Sequence, residues 1–273
     1  MKEIRANDNP VIRQFRELSL KKHRDRQGRY IIEGPNLLAE ALRCEAALGQ
    51  ALFDAQALAK SKELQALAHR IETAKLFAAT VPPQVFAKAA CTDTPQGVMA
   101  WVQKAQWSEA QLFSQEGGNI VVLDRIQDPG NLATILRTAD SAGFAGALLL
   151  KGCGDIYGPK AVRAAAGTLF RLPVLLCEGP EQALGLLRRY RKRIFATALD
   201  SSLFYFRCDL RRDAAIIIGN EGNGICEELL AGADQKITIP MKGKTESLNA
   251  GVAAGILIYE SLRQNDTGQN TEE

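Results

Sequence analysis

The chain has 273 residues, a formal net charge of +3 and an apolar fraction of 46%, values ordinary for a globular protein with one large core or two modest ones. The charge is too small to indicate nucleic-acid binding by itself, and no apolar run approaches the roughly 18 residues that a membrane span needs. Six widely spaced cysteines without a C-x-x-C pair, beside only two histidines, predict no metal site and reduced thiols.

The amino-terminal segment is charged and lacks the apolar stretch of a signal peptide, which predicts a cytoplasmic protein. Lys and Arg dominate the first thirty residues, while apolar residues recur at helical spacing from Val11 to Leu20. This rhythm predicts a short amphipathic helix whose other face carries the cations. At this point two interpretations stay open, namely a solvated helix face and a surface that contacts phosphates.

A small α/β domain is predicted over residues 1–108. Residues 30–35 predict a strand that Gly34-Pro35 stops, and residues 36–48 predict the helix that follows. The polar stretch over 109–118 contains a Gly-Gly pair and is the predicted linker. The remaining predicted boundaries are a second domain over 119–264 and a disordered tail over 265–273.

In the second domain, strand-like and helix-like runs alternate. Strands are predicted at 120–123, 147–150, 173–177, 194–199, 214–219 and 236–239, and helices at 132–142, 160–169, 181–191, 225–231 and 247–262. Such alternation predicts a mostly parallel sheet with helices on both faces.

Polar residues follow three of these strands, at the edge of the sheet where ligands bind in α/β proteins. In Asp128-Pro129-Gly130-Asn131 we expect Asn131 to cap the next helix. Arg137 then lies within an apolar stripe of that helix. Its charge must either reach solvent along its aliphatic stem or face a cleft, because an unpaired buried cation is costly.

The loop Gly219-Asn220-Glu221-Gly222-Asn223-Gly224 is not a G-x-G-x-x-G fingerprint. Its carboxylate would repel a pyrophosphate, which argues against a nicotinamide-dependent oxidoreductase. At the start of the last helix, Ser247 or Thr245 is the expected N-cap, with Glu246 favoured by the helix dipole.

Taken together, N-L-A-T-I-L-R-T-A-D-S-A-G-F, I-I-I-G-N-E-G-N-G and I-P-M-x-G-x-x-E-S-L-N resemble, in order and spacing, the three motifs of the SpoU (TrmH) family of RNA ribose methyltransferases. The segment Y-I-I-E-G-P-N-L-L-x-E-A-L resembles the RNA substrate-binding domain that often precedes the catalytic domain. The resemblance implies a SPOUT fold, an α/β parallel-sheet domain with a carboxy-terminal trefoil knot, after a small α/β RNA-binding domain. It also implies a homodimer.

The implied reaction is methyl transfer from S-adenosylmethionine to a ribose 2′-hydroxyl of structured RNA, with ribosomal RNA as the expected substrate. By resemblance the catalytic residues are Asn131, Arg137, Glu221, Ser247 and Asn249. Arg137 would stabilise the developing alkoxide, because a guanidinium stays protonated. The implied cofactor-binding residues are Thr197, Ala198, Gly219, Asn220, Gly222, Ile239, Met241, Ser247 and Leu248.

With an RNA enzyme in view, the phosphate-contacting interpretation of the amino-terminal cations gains weight. The expected RNA-binding residues are Arg13, Lys21, Lys22, Arg24, Arg29 and Arg163. Two alternatives share the fold, namely an RNA-binding ribosome-assembly factor without turnover and a transfer-RNA ribose methyltransferase.

Overall fold

The computed structural model describes residues 1–243 and 247–269, and the chain divides into two compact units. The first unit comprises Met1–Gln106 and Asp155–Arg171, and the second comprises Trp107–Gly154 and Leu172–Glu273. In chain order the elements are β1 (Lys2–Glu3), α1 (Pro10–Leu18), α2 (Lys21–Gln27), β2 (Arg29–Glu33), α3 (Pro35–Arg43), β3 (Leu48–Asp54), α4 (Ala55–Lys60), α5 (Lys62–Thr73), β4 (Ala78–Val81), α6 (Pro83–Ala89), β5 (Val98–Gln103), α7 (Glu109–Leu112), β6 (Ile120–Asp124), α8 (Pro129–Ser141), β7 (Gly146–Leu150), α9 (Pro159–Ala165), β8 (Val174–Cys177), α10 (Pro180–Arg189), β9 (Arg193–Thr197), β10 (Ala214–Gly219), α11 (Glu227–Gly232), β11 (Gln235–Ile237) and α12 (Ala250–Gln269), with short 3-10 helices at Thr168–Phe170 and Tyr205–Arg207.

The sheet of the first unit has the order β1-β4-β3-β5-β2, in which β5 runs antiparallel to both of its neighbours. Helix α1 begins where Asn9 caps the backbone N–H of Val11 and Pro10 occupies the first turn. The predicted apolar face of α1 is buried, with Ile12, Phe15 and Leu18 inside the protein. Leu20, the last residue of the predicted rhythm, lies beyond the helix and is exposed.

The helix predicted over 36–48 is too long. Helix α3 ends at Arg43, and Leu48 is the first residue of β3. Glu45 adopts a left-handed backbone conformation with φ of 51°, which no helix continues through. The Leu48 side chain is buried as part of a strand, so its apolar character reflects the burial of that strand and not of a helix face.

The second unit confirms the predicted parallel sheet. Within the described residues its order is β11-β9-β10-β6-β7-β8, and every pair of neighbours is parallel. Residues from α7, α10 and α11 form one core with alternate strand residues such as Ile120 and Val122. Helices α8 and α12 pack against each other; α8 also packs against β7, and α12 against β10. They lie on the other face of the sheet, toward which the intervening residues such as Val121 and Leu123 point, and these residues are buried.

Two predicted segments are wrong. The linker predicted over 109–118 contains α7, where Ser108 and Gln111 form a capping box and Leu112 is fully buried in the core of the second unit. Helix α12 extends to Gln269, so the predicted disordered tail is helical over 265–269, and 270–273 lie outside the described residues. No helix in the described part of the chain has the length and apolar character needed to cross a membrane.

Candidate active site

A cavity of about 330 Å³ lies in the second unit, at the carboxyl ends of three neighbouring strands. The ends of β9, β10 and β11 supply one part of its wall, and the start of α12 supplies the other. Parallel strands that end at one edge bring their following loops together there. The cavity residues are Thr197, Ala198, Leu199, Ile218, Gly219, Asn220, Glu221, Gly222, Gly224, Ile237, Thr238, Ile239, Met241, Ser247, Leu248, Ala250 and Ala253.

All nine residues assigned to cofactor binding line this single cavity. Of the five assigned to catalysis, Glu221 and Ser247 also line it. Sequence reasoning missed Leu199, Ile218, Ile237, Thr238 and other neighbours of the predicted residues. These four residues lie at strand ends, because three of the cavity segments start within the last two residues of β9, β10 and β11.

Asn220 organises the glycine loop. Its backbone exchanges two hydrogen bonds with Gly224, of 3.0 and 2.9 Å, and its Oδ1 accepts from the backbone N–H groups of Gly222 and Asn223. A Cβ at Gly219 would lie 2.4 Å from the Gly224 carbonyl carbon, so only glycine allows this close approach. The side chain of Asn220 is thus committed to the loop, although the residue lines the cavity.

Asp124 and Arg125, which the sequence analysis did not single out, hold this loop from the end of β6. Asp124 is almost completely buried and accepts from the Cys226 backbone N–H at 2.7 Å. Arg125 has φ of 57°, and its carbonyl accepts from Asn220 Nδ2 at 2.9 Å. Its hydrogen-bonded pairing with Asp124 raises the pKa of the Arg125 guanidinium.

Asn131 links two other catalytic candidates in an ordered chain of hydrogen bonds. Asn249 Nδ2 donates to Asn131 Oδ1 at 3.0 Å, and Asn131 Nδ2 donates to Glu221 Oε1 at 2.7 Å. Each amide therefore has a fixed orientation, and a carboxylate terminates the chain beside the cavity. This arrangement offers oriented acceptors and donors to a hydroxyl group.

The predicted N-cap at Asn131 is wrong, because Asp128 caps α8 through the Asn131 backbone N–H at 2.8 Å. Pro129 occupies the first turn and so places the cap one residue before itself. The correction frees the Asn131 side chain for the hydrogen bonds described above.

At the start of α12 the cap is Asn249, whose Oδ1 accepts from the N–H groups of Gly251 and Val252. Ser247 lies two residues earlier, in the cavity wall, and is not the cap. The other expected cap, Thr245, and Glu246 lie outside the described residues.

Arg137 is not part of the hydrogen-bonded chain formed by Asn249, Asn131 and Glu221. It lies six residues beyond Asn131 on α8, about 9 Å further along the helix axis. Its side chain is exposed, does not line the cavity, and makes no hydrogen bond or ion pair with any residue of 1–243 or 247–269. The structure of one copy therefore brings together Asn131, Glu221 and Asn249, but leaves Arg137 apart from them.

The candidate RNA-binding residues separate into two groups in the first unit. Arg13, Lys22 and Arg163 are exposed, Lys21 is exposed but paired with Asp25, and Arg29 is half-buried with its guanidinium 4.0 Å from the Trp101 ring centre. Arg24 is only 5% exposed. The assignment of Arg24 to RNA binding is wrong.

Arg24 is instead a structural residue. It pairs with Asp155 at 2.6 Å and donates to the backbone oxygens of Leu18 and Ser19. These contacts hold Asp155, the first residue of the Asp155–Arg171 segment, within the first unit. The two terminal nitrogens of Arg24 are therefore hydrogen-bonded inside the protein, whereas its buried Nε has no hydrogen-bond partner among the described residues.

Two family models match this chain. The model of the SpoU rRNA Methylase family matches residues 118–259, which contain every residue of the cavity and of the amide–carboxylate chain. The model of the MRM3-like substrate binding domain matches residues 9–100.

The chain is similar over nearly its whole length to named relatives. It is 32% identical to a Synechocystis protein named an uncharacterized tRNA/rRNA methyltransferase, over 96% of this chain and 93% of that one. It is 30% identical to the Bacillus subtilis 23S rRNA (guanosine(2553)-2′-O)-methyltransferase, over 95% and 98% of the two chains. The crystal structure of the SpoU methyltransferase AviRb from Streptomyces viridochromogenes with AdoMet superimposes with a TM-score of 0.86 at 26% identity, covering 95% of this chain and 99% of that one. The chain belongs to the SpoU rRNA methylase family.

Proposed function

We propose that this protein transfers a methyl group from S-adenosylmethionine to a ribose 2′-hydroxyl of ribosomal RNA. The observation that carries the proposal is the Asn249–Asn131–Glu221 chain beside the 330 Å³ cavity. The Bacillus subtilis relative, whose name specifies this reaction on 23S rRNA, matches both units of the chain, which supports ribosomal RNA as the substrate class.

The cavity suits a small cofactor that is partly apolar. Its volume lies at the lower end of the range for small-molecule sites. Ile218, Ile237 and Leu248 offer apolar surface. Of the residues that the structure describes, a Cβ at Gly222 would meet only Asn220 Oδ1, at 3.6 Å, so the loop leaves space on that side. When bound, S-adenosylmethionine supplies a methyl group on a sulfonium leaving group.

The side chains beside the cavity have the chemistry to orient a ribose. A ribose hydroxyl is a weak nucleophile at neutral pH and needs a hydrogen-bond acceptor, a base or a stabilising field. No histidine occurs in the sequence after His69. We assign Glu221 and Asn249 to binding the sugar, Asn131 to fixing both of them, and Ser247 to contact with substrate or cofactor.

The catalytic role of Arg137 rests on the family resemblance and on its exposed guanidinium, which has no ion pair in the described part of the chain. We assign to it the stabilisation of the alkoxide and of the adjacent RNA phosphate, which takes up the proton. Because Arg137 lies apart from the cavity in one copy, this role needs RNA or a second copy to bring the two together.

The proposal includes a homodimer, a trefoil knot in the second unit and a cytoplasmic location. An exposed apolar face on α12 supports association, since Val252 is 53% and Tyr259 is 50% exposed. No residue of 1–243 or 247–269 packs within 4 Å of a Cβ placed at Gly255, between these two residues. All six cysteines are free thiols, in keeping with a reducing compartment.

The second candidate function is RNA binding in ribosome assembly without turnover. It is favoured by the separation of Arg137 from the amide–carboxylate chain. Incubation of the full chain with deproteinised ribosomal RNA and S-adenosylmethionine labelled in the methyl group decides between them. Time-dependent label in RNA supports the enzyme, whereas RNA binding without label supports the second candidate.

A further inference from the structure

Several arginines lie together at the amino ends of β9 and β10, at the opposite edge of the sheet from the cavity. We propose that they form a second RNA phosphate-binding surface, used by a part of the RNA distant from the reacting nucleotide. The inference rests on the proposed function for its choice of RNA as the ligand. The amino-end arginine cluster consists of Arg188, Arg189, Arg191, Arg193, Arg211 and Arg212.

The topology brings the two halves of the cluster together. β9 and β10 are parallel neighbours, with Arg193 in register with Ala214. The Arg193 backbone N–H donates to the Asp213 carbonyl at 2.7 Å, and Arg193 Nη2 donates to the Arg212 carbonyl at 2.5 Å. The turn before β10 is therefore fixed beside the turn before β9, and both turns carry arginines.

Three acidic side chains close to the cluster, those of Glu109, Asp209 and Asp213, are already used in ion pairs of 2.7 to 3.4 Å. These pairs are Arg189 with Glu109, Arg211 and Arg193 with Asp209, and the buried Lys192 with Asp213. Arg188, Arg191 and Arg212 are exposed and have no hydrogen bond or ion pair from their side chains to the described residues. Three cations thus remain for an external anion.

Arg191 occupies a position that usually takes glycine. Helix α10 ends in a Schellman motif, in which the N–H of Arg191 donates to the Arg188 carbonyl and that of Lys192 to the Leu187 carbonyl. The motif requires a left-handed residue, and Arg191 has φ of 54°. Arg191 therefore places a cation at a position whose backbone would also suit glycine.

A purely structural explanation accounts for only part of the cluster. Arg188 and Arg189 lie in the last turn of α10, where cations complement the helix dipole. Neither Arg191, beyond the helix, nor Arg212, in the turn before β10, is explained in this way. The guanidinium of Arg212 is instead placed over the backbone at Gly117, where an added Cβ would lie 2.7 Å from its Nε.

A ligand that contacts both the amino-end arginine cluster and the cavity must be extended. β10 runs from Ala214 beside the cluster to Gly219 at the cavity, and a strand rises about 3.3 Å per residue, so about 16 Å separate the two. One nucleotide cannot contact both. Arginine is also the residue whose planar guanidinium matches phosphate geometry. A structured RNA that extends from one edge of the sheet to the other meets these requirements.

The test uses the full chain with Arg188→Gln, Arg191→Gln and Arg212→Gln combined. The matched control removes three exposed cations of the first unit, with Lys60→Gln, Lys62→Gln and Arg70→Gln. Binding to deproteinised bacterial ribosomal RNA is measured across a salt series. We expect the triple variant to lower the slope of log affinity against log salt by about 2 to 3, and affinity at about 0.1 M salt by roughly tenfold or more.

The single variant Arg191→Gly serves as a control for misfolding, because it removes one charge and suits the left-handed backbone. It should bind RNA more weakly while its melting temperature stays the same or rises. In the triple variant the affinity for S-adenosylmethionine should stay unchanged, and the loss of methyl transfer should fall on the KM for RNA.

Equal RNA affinity and salt slope in the triple variant and the unmodified protein would overturn the proposal. This outcome is separable from failure of the proposed function. If no RNA is methylated but the triple variant alone binds RNA weakly, the surface stands and the enzyme assignment fails. If methylation is normal and RNA binding is unaffected, the surface fails and the enzyme stands.

Discussion

Asn131 Nδ2 donates a 2.7 Å hydrogen bond to Glu221 Oε1, joining residues that lie ninety positions apart in the chain. The other end of the Asn131 amide accepts from Asn249. Asn131 therefore fixes the carboxylate of the glycine loop and the amide at the start of α12 with one side chain. The proposed sugar-binding geometry depends on this single residue.

Substitution of Asn131 tests that dependence. Asn131→Asp replaces a donor with a carboxylate at hydrogen-bond distance from Glu221, so like charges repel and the chain opens. We expect methyl transfer to fall by roughly 100-fold or more, and further than in Asn131→Ala, which removes the donor without adding charge. Initial rates on ribosomal RNA measure both effects, and rates in both variants equal to that of the unmodified protein would show that the contact with Glu221 is not important.

Arg137 is exposed and lies apart from the cavity, so its removal should leave cofactor binding intact. For Arg137→Ala we expect methyl transfer to fall by about 100- to 1,000-fold, the usual effect of removing a group that stabilises developing charge. Calorimetry should give an unchanged affinity for S-adenosylmethionine. Arg137→Lys is the matched variant that keeps the charge, and full activity in Arg137→Ala would exclude a catalytic role.

The glycine loop offers a pair of substitutions with different expected outcomes. Among the described residues, a Cβ at Gly222 meets nothing closer than 3.6 Å, whereas one at Gly219 collides with the backbone at 2.4 Å. Gly222→Val should therefore lower cofactor affinity by about tenfold or more while the melting temperature is kept, because it fills the cavity. Gly219→Ala should lower both the cofactor affinity and the melting temperature. Normal cofactor affinity in Gly222→Val would show that the cofactor binds outside this cavity.

Arg24 and Arg13 should behave in opposite ways. Arg24→Met leaves Asp155 without its partner in a largely buried site, and we expect a loss of about 3 kcal/mol in stability, measured by chemical denaturation. Arg13→Gln removes an exposed charge and should weaken RNA binding and reduce its salt slope by about 1 without loss of stability. An Arg24→Met protein with unchanged stability would contradict the structural role of this residue.

Local patterns in the sequence predicted the sheet and the meeting of the three motifs. Continuous apolar runs such as Ala214–Gly219 indicated buried parallel strands, and the glycines and polar residues after them indicated one composite site. These inferences succeed because the carboxyl ends of parallel strands share an edge. The cap at Asp128 was also within reach, since Pro129 marks the first turn of a helix.

Long-range partners could not be predicted. Nothing local distinguishes the buried Arg24 from the exposed Arg13, because the difference is made by Asp155, 131 residues away. The grouping of Asp155–Arg171 with the first unit is likewise a property of tertiary contacts. It also means that deletion of the first 108 residues would remove the packing partners of this segment, so RNA binding is better tested with point variants.

The most direct measurement is the chemical position of the transferred methyl group. Ribosomal RNA is incubated with the full chain and S-adenosylmethionine carrying a deuterated methyl group, digested to nucleosides and examined by mass spectrometry. The account predicts label on the ribose of one nucleoside type, reduced at least 100-fold by Asn131→Asp. Label on a nucleobase, or no label in RNA that the protein binds, would contradict it.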